Sequence, residues 1–342
     1  MIKVIRLTTA ALALAACLPF SASAQTVLTM SSWVPPSHPL TKDMLVGWAA
    51  EVEKASNGRI KFQMLPKHPS AAPGTFDAVR DGLVDVSYVT ASYTPARHTL
   101  PKLGELPGAG ATAEINSVAY SRIYWKYMHQ IGEYKGVKLL SVFTHGPGQM
   151  FNTKRVIDSV DDVAGMKIRT GGGVADEAAR ALGASAFVKP APESYELLSS
   201  GVADGVFFPL ESIASFKLDK VVKHATIFPG GFYSSSFGFF INEDKFNKLS
   251  KQDQDVILSL SGEKFARFTG KIWDAADQVG LDAMKAAGVT ITAASPTLIS
   301  GVRAKTAGIE TEWVKAATAK GIDGAKVLAE FRQELKNVAD GK

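Results

Sequence analysis

The sequence predicts an α/β protein of two similar lobes with a cleft between them and a long helix crossing both. Three observations carry this. At 342 residues the chain exceeds what one core ordinarily organises, roughly 100–200 residues per domain. Strand-like and helix-like patterns alternate along it. A ten-residue motif also recurs, Phe76–Asp85 against Tyr195–Asp204: aromatic, acid, two apolar, two polar, Gly, two apolar, Asp. Any helix–glycine–strand junction shares part of that pattern. Two copies at the same stage of two α/β halves instead point to two lobes whose facing strand ends line a cleft.

The elements follow in order. Thr26–Ser32 reads as a strand, and Pro35, Pro36 and Pro39 punctuate the turn before a helical pattern over Leu40–Ser56 that ends at Asn57-Gly58. Arg59–Leu65 is a second strand. Phe76–Asp81 is a short helix stopped by Gly82, and Val84–Thr90 the strand after it. Tyr- and Trp-rich helices surround Val118–Met128. Val137–Phe143 and Met166–Thr170 are strands, and Gly171-Gly172-Gly173 opens a helix through Leu182. A single long helical zone spans Ser250–Ala287, with Ser250 as N-cap and Asp253 at N3. Amphipathic helix then fills Leu298–Asp340. Lobe one is expected to take residues 25–149 and about 236–275, lobe two residues 150–235 and about 276–342.

The first residues carry an address. Lys3 and Arg6 precede an apolar stretch, Leu7–Phe20, and the small residues Ser21-Ala22-Ser23-Ala24, the pattern of a secretory signal peptide cleaved after Ala24. Leu14-Ala15-Ala16-Cys17 also fits a lipobox, so lipidation at Cys17 is the second choice. The apolar stretch is too short to span a bilayer, and no later one approaches 18 residues. A chain cut after Ala24 has no cysteine for disulfides or thiolate chemistry.

Charge and motifs then exclude function classes. The formal charge is +5, and without Lys3 and Arg6 it is 36 basic minus 33 acidic residues, or +3. Basic residues are scattered, so no nucleic-acid partner is expected. The six histidines, His38, His68, His98, His129, His145 and His224, include no i, i+4 pair and no HExxH, which argues against a metal. There is no G-x-S-x-G elbow and no Walker loop. Gly171-Gly172-Gly173 lacks the third glycine of a dinucleotide site, because Asp176 stands in its place, so no cofactor is expected. Asp161-Asp162 reads as a solvated turn. A secreted hydrolase would therefore lack both nucleophile and metal.

Arg169 is the exception. It ends an apolar strand immediately before a glycine-rich turn into a helix, where ligands sit in open α/β sheets. A guanidinium there can hold a carboxylate through two parallel hydrogen bonds, helped by free N–H groups at the helix N-terminus. An ion pair with a nearby Asp or Glu is the competing reading.

Val163-Ala164-Gly165-Met166-Lys167-Ile168-Arg169, Leu182-Gly183-Ala184 and Tyr195–Gly205, in this order, resemble the signature of the substrate-binding proteins of tripartite ATP-independent periplasmic (TRAP) transporters, DctP type. The resemblance covers essentially the whole mature chain. It implies a periplasmic-binding-protein-like fold, closure around an organic acid anion, and Arg169 as its carboxylate clamp. It further implies a periplasmic receptor without catalysis or cofactor, expected as a monomer. Small and large membrane subunits would receive the ligand.

Departures from the family pattern bear on the ligand. Many relatives carry a second arginine before the segment that is here Asn152-Thr153-Lys154-Arg155, but Gly146-Pro147-Gly148-Gln149-Met150 holds none. Gln149 could give a neutral hydrogen bond or simply face solvent. Where relatives have an E-N-P segment, this chain has Phe207-Phe208-Pro209. Phe208, Trp33 after the first strand and Tyr93 after the third are therefore expected to form an aromatic wall, with core packing the alternative for Phe207, Phe208 and Trp33. One cation against such a wall favours a monocarboxylate with a hydrophobic or aromatic body. A C4-dicarboxylate, a 2-oxo acid, a sugar acid, or ligand sensing for a membrane kinase are the alternatives. A receptor of the ABC or tripartite tricarboxylate type would share the two-lobe logic but not the long helix and the Arg169 motif.

Overall fold

The computed structural model describes residues 25–342. The signal-peptide cut and the Cys17 alternative lie outside the described residues. The first half of the chain runs β1 (Thr26–Met30), α1 (Val46–Ala55), β2 (Ile60–Met64), α2 (Thr75–Arg80), β3 (Val86–Thr90), α3 (Ala113–Ile123), β4 (Val137–Thr144) and β5 (Gln149–Asn152). It continues through β6 (Lys167–Thr170), α4 (Gly173–Ala181), β7 (Ser185–Val188), α5 (Ser194–Ser199), β8 (Gly205–Phe208), α6 (Glu211–Ser215), β9 (His224–Ile227) and β10 (Ser236–Asn242). The last part is α7 (Glu243–Asn247), α8 (Lys251–Ser259), α9 (Gly262–Ala286), β11 (Thr290–Ala293), α10 (Pro296–Ala319) and α11 (Gly324–Ala339).

Two sheets result, ordered β2-β1-β3-β10-β4 and β7-β6-β8-β5-β9-β11. In each, the first three strands are parallel and the fourth is antiparallel to its neighbours. That fourth strand is β10, from far along the chain, in the first sheet and β5, which precedes the other strands of its sheet, in the second. The internal repeat maps onto this symmetry. Gly82 and Gly201 stop α2 and α5 with φ of 75° and 74°, left-handed values that glycine adopts without strain. Asp85 and Asp204, the last residues of the two copies, each accept a backbone N–H from the neighbouring parallel strand, Thr29 at 2.8 Å and Lys167 at 2.9 Å. Their carbonyls accept in turn from Asn242 and Thr153. The repeated Asp therefore stitches each sheet at its third strand.

The expected single helix over Ser250–Ala287 is two helices. Ser250 caps α8 through the Asp253 N–H as anticipated, but the chain breaks at Leu260-Ser261 and Gly262 takes φ 59° before α9 starts. α9 is the element that crosses the molecule. Its Asp274 accepts N–H groups of Ala113 and Glu114 at the start of α3, and Asp277, three residues on, accepts that of Glu211 at the start of α6 (2.7 Å). One turn thus satisfies orphan donors at two helix N-termini. Phe265 of α9 stacks on Phe239 of the first sheet, centroids 4.3 Å apart.

The tail helices, expected with the second lobe, also bind the 100–122 segment. Trp313 Nε1 donates to Leu100 O (3.1 Å), Arg332 to the Pro107 and Gly108 carbonyls, and Arg122 pairs with Glu334. No helix among the described residues is long and apolar enough to cross a membrane.

Candidate functional site

Parallel strands of one sheet point their carboxyl ends the same way, so residues at or just past the ends of β1, β3, β6 and β8 can converge. Trp33, Thr90, Tyr93, Arg169 and Phe208 accordingly line one cavity with His145, which follows β4. Tyr233, Phe237 and, from α9, Trp273 complete much of its wall.

Arg169 is 1% exposed, an unusual state for a cation. Its Nε and Nη2 both donate to the Lys189 carbonyl, and its guanidinium carbon lies 4.4 Å from the centre of the Phe208 ring. The Tyr93 hydroxyl also interacts with the guanidinium, and no acidic side chain among the described residues forms an ion pair with this arginine. The structural ion pair that competed with the clamp reading is thus absent among the described residues. Burial lowers the arginine's pKa, opposed by the nearby Tyr93 and Tyr233 hydroxyls, but a guanidinium stays charged at neutral pH.

The aromatic residues take defined places. Trp33 is fixed by its Nε1 donating to Tyr88 O (2.9 Å), with its ring 5.6 Å from Tyr93. The Tyr93 hydroxyl accepts the Ala191 N–H (2.9 Å). Phe208 lies between the guanidinium and Phe216, which it stacks at 5.9 Å, so it combines cation–π contact with packing. Phe207, on the opposite face of β8, meets Phe232 edge-on at 4.9 Å and also reaches the lining.

Gln149 does not join the cavity. Its side-chain Oε1 accepts the Phe228 N–H (2.6 Å) and its Nε2 donates to Phe228 O (3.2 Å), so the amide is spent bridging β5 to the loop after β9. The neighbouring Gly148 matters more. A Cβ there would collide with the Tyr233 ring, so the arginine-free stretch makes room for an aromatic hydroxyl in the lining.

Glu105 corrects a second expectation. The N-terminus of α4 was expected to offer free N–H groups to the ligand, but the Val174 N–H donates to Glu105 Oε2 (3.2 Å), while Oε1 accepts from Ser236 Oγ (2.8 Å) and N (3.3 Å). The buried carboxylate ties the start of α4 to β10. Burial outweighs these hydrogen bonds and pushes its pKa up to about 7. Raised above the ordinary 4.5, it contributes stability that is full below pH 4.5 and lost as pH rises through 7. Denaturant titrations between pH 4.5 and 8 should show wild type losing up to about 3 kcal/mol relative to Glu105→Gln. Parallel curves for the two proteins would refute this role.

Sequence reasoning missed Tyr233, His145, Trp273 and the His38–Glu211 pair. Leu40 N donates to His38 Nδ1 (3.2 Å), so Nε2 carries the proton that faces Glu211 Oε1 at 3.1 Å. Desolvation lowers the His38 pKa against the opposing pull of Glu211. Tyr233 follows Gly230-Gly231, a turn signal that marks a loop without saying where it folds.

Comparison with known proteins bears on what this cavity holds. The family model described as "Bacterial extracellular solute-binding protein, family 7" matches residues 30–316. A TRAP periplasmic solute-binding protein of Bordetella bronchiseptica, solved with bound (R)- and (S)-mandelate, is 48% identical with a TM-score of 0.90, covering 92% of this chain and 99% of that one. A marine-metagenome TRAP protein specific for aromatic acid ligands, solved with 3-hydroxybenzoate, is 31% identical with a TM-score of 0.86, covering 92% and 98%. A third, from Rhodoferax ferrireducens with copurified benzoate, is 26% identical with a TM-score of 0.87, covering 92% and 99%.

Proposed function

This chain belongs to the bacterial extracellular solute-binding proteins of family 7, the receptors of TRAP transport systems, and from that membership we propose that it captures an aromatic monocarboxylate between two closing lobes. The observation that carries the reading is Arg169, a buried guanidinium without an acidic partner among the described residues, set against an aromatic wall. A charge out of water is costly unless compensated, and a ligand carboxylate compensates it. With no arginine in the 146–150 stretch, and with Val174 N–H engaged by Glu105, the cavity offers one strong anion contact. The remaining wall of Trp33, Tyr93, Phe208, Phe237 and Trp273 suits an aromatic body. Mandelate, 3-hydroxybenzoate and benzoate, found in the similar structures, each join one carboxylate to one ring.

The mechanism needs no bond-making. Wall residues come from segments following strands of both sheets, so a ligand that touches both binds the closed arrangement better and shifts the population toward it. By the same reading the chain is exported through its N-terminal signal, works in the periplasm as a monomer, and presents its closed face to small and large membrane subunits.

Thermal unfolding of ligand-stripped protein tests this. An aromatic monocarboxylate at about 100 times its Kd should add about 2.7 kcal/mol, a shift of several degrees. Shifts confined to dicarboxylates or sugar acids would refute the single-clamp reading.

A further inference from the structure

We propose that His145 reads a hydroxyl group on the bound acid through its Nε2 lone pair, so that the pocket selects hydroxylated aromatic acids over their unsubstituted and 2-oxo counterparts; this rests on the aromatic-monocarboxylate reading above. The imidazole is fixed on every side. Its Nδ1 faces the Gly146 carbonyl, which can only accept, so Nδ1 carries the proton and Nε2 is left as a lone-pair acceptor. Backbone bonds hold the residue itself: its N donates to Ser235 O (3.2 Å) and its O accepts from Ser234 Oγ (3.0 Å). Tyr233 meets the ring edge-on at 5.5 Å, and Trp273 lies tilted against it at 5.9 Å. Burial holds the His145 pKa at about 4, so the acceptor persists at neutral pH.

Nε2 has no partner among the described residues, and His145 lines the cavity. The Trp273 indole N–H, in the same aromatic cluster, is buried and equally without a described partner. A hydroxyl donates and accepts at once, so it suits a cluster holding an unmatched acceptor and an unmatched donor. A keto oxygen has only lone pairs and would face that of Nε2, and a C–H satisfies neither. Tyr93 and Tyr233 hydroxyls can turn to donate or accept and so do not discriminate in this way. Glu211 accepts from Ser212 Oγ (3.1 Å), but its Oε1, 3.1 Å from His38 Nε2, has no hydrogen-bond partner among the described residues and is a second acceptor, one that a substitution at His145 leaves in place.

Calorimetric titration of wild type with two sets of acids tests the proposal: mandelate, phenylacetate and phenylglyoxylate, and 3-hydroxybenzoate with benzoate. In at least one set the hydroxylated acid should bind about tenfold or more tighter than its counterparts, and the set that shows it locates the hydroxyl on the side chain or the ring. In His145→Phe, which keeps an aromatic ring but removes the lone pair, that ratio should fall toward one. Equal binding within both sets in wild type, or an undiminished ratio in His145→Phe, overturns the proposal and leaves the receptor reading standing. Absence of binding by every aromatic acid instead defeats the reading on which it rests. Equal wild-type binding within both sets overturns the proposal even where His145→Phe fails to fold.

Discussion

Arg169→Met should weaken binding of the best aromatic acid by roughly 30- to 5,000-fold, the equivalent of about 2–5 kcal/mol for removing one partner of a buried charge pair. Much of that loss is the cost of leaving the ligand carboxylate in a dry, aromatic cavity without a counter-charge. The variant should still fold. In the ligand-free protein Arg169 is itself an isolated buried cation, and replacing buried charge with apolar bulk of similar length is neutral or stabilising in many proteins. Against that stand the two hydrogen bonds to Lys189 O and the contact with Phe208, so the ligand-free melting temperature should change little. Loss of affinity with an intact melting curve is thus the expected signature. Near-normal binding by Arg169→Met would mean that another group holds the anion.

Gly280→Ala should destabilise the protein by about 2 kcal/mol, whereas the same change at Gly308 should stabilise it by about 0.5–1 kcal/mol. Both residues lie inside long helices, α9 and α10, where alanine is intrinsically better than glycine by about 1 kcal/mol. Surroundings decide the sign. A Cβ on Gly308 meets no atom within 4 Å, so only the propensity gain acts. A Cβ on Gly280 would fall far inside contact distance of the Leu210 carbonyl, and backbone cannot swing away as a side-chain tip can. Overpacking of this kind costs about 3 kcal/mol and exceeds the propensity gain. The contact also joins α9 to the segment opening α6, just before the Glu211 N–H that Asp277 caps, so the strain falls where the crossing helix grips the second sheet's elements. Urea denaturation of the two variants checks both signs in one series. Equal shifts would show that the helix relaxes around Gly280.

The mature sequence by itself determined the α/β architecture, because that information is local. Apolar periodicity, glycine stops and the repeated Asp at the third strand of each sheet are properties of ten to twenty neighbouring residues, and they held with small shifts of boundary. The strands β5, β7, β9, β10 and β11 went unread, and of the elements that were named the zone beginning at Ser250 was misjudged: it broke at Ser261-Gly262, where periodicity continues on both sides but one glycine takes a left-handed φ. Arg169 was legible too. A cation at a strand end before a glycine turn has few places to go, and the structure puts it in a cavity.

What sequence could not decide was which polar groups are already spent. Gln149 and the α4 N-terminus are good hydrogen-bonding groups in any one-dimensional reading, yet Phe228 takes the first and Glu105, 69 residues before Val174, takes the second. His145 shows the converse: an ordinary histidine in sequence, it faces the cavity with one nitrogen engaged by Gly146 and the other left without a partner among the described residues. Hydrogen-bond capacity is finite and is filled by partners far away along the chain, so only the tertiary arrangement determines which donors and acceptors are left to a ligand.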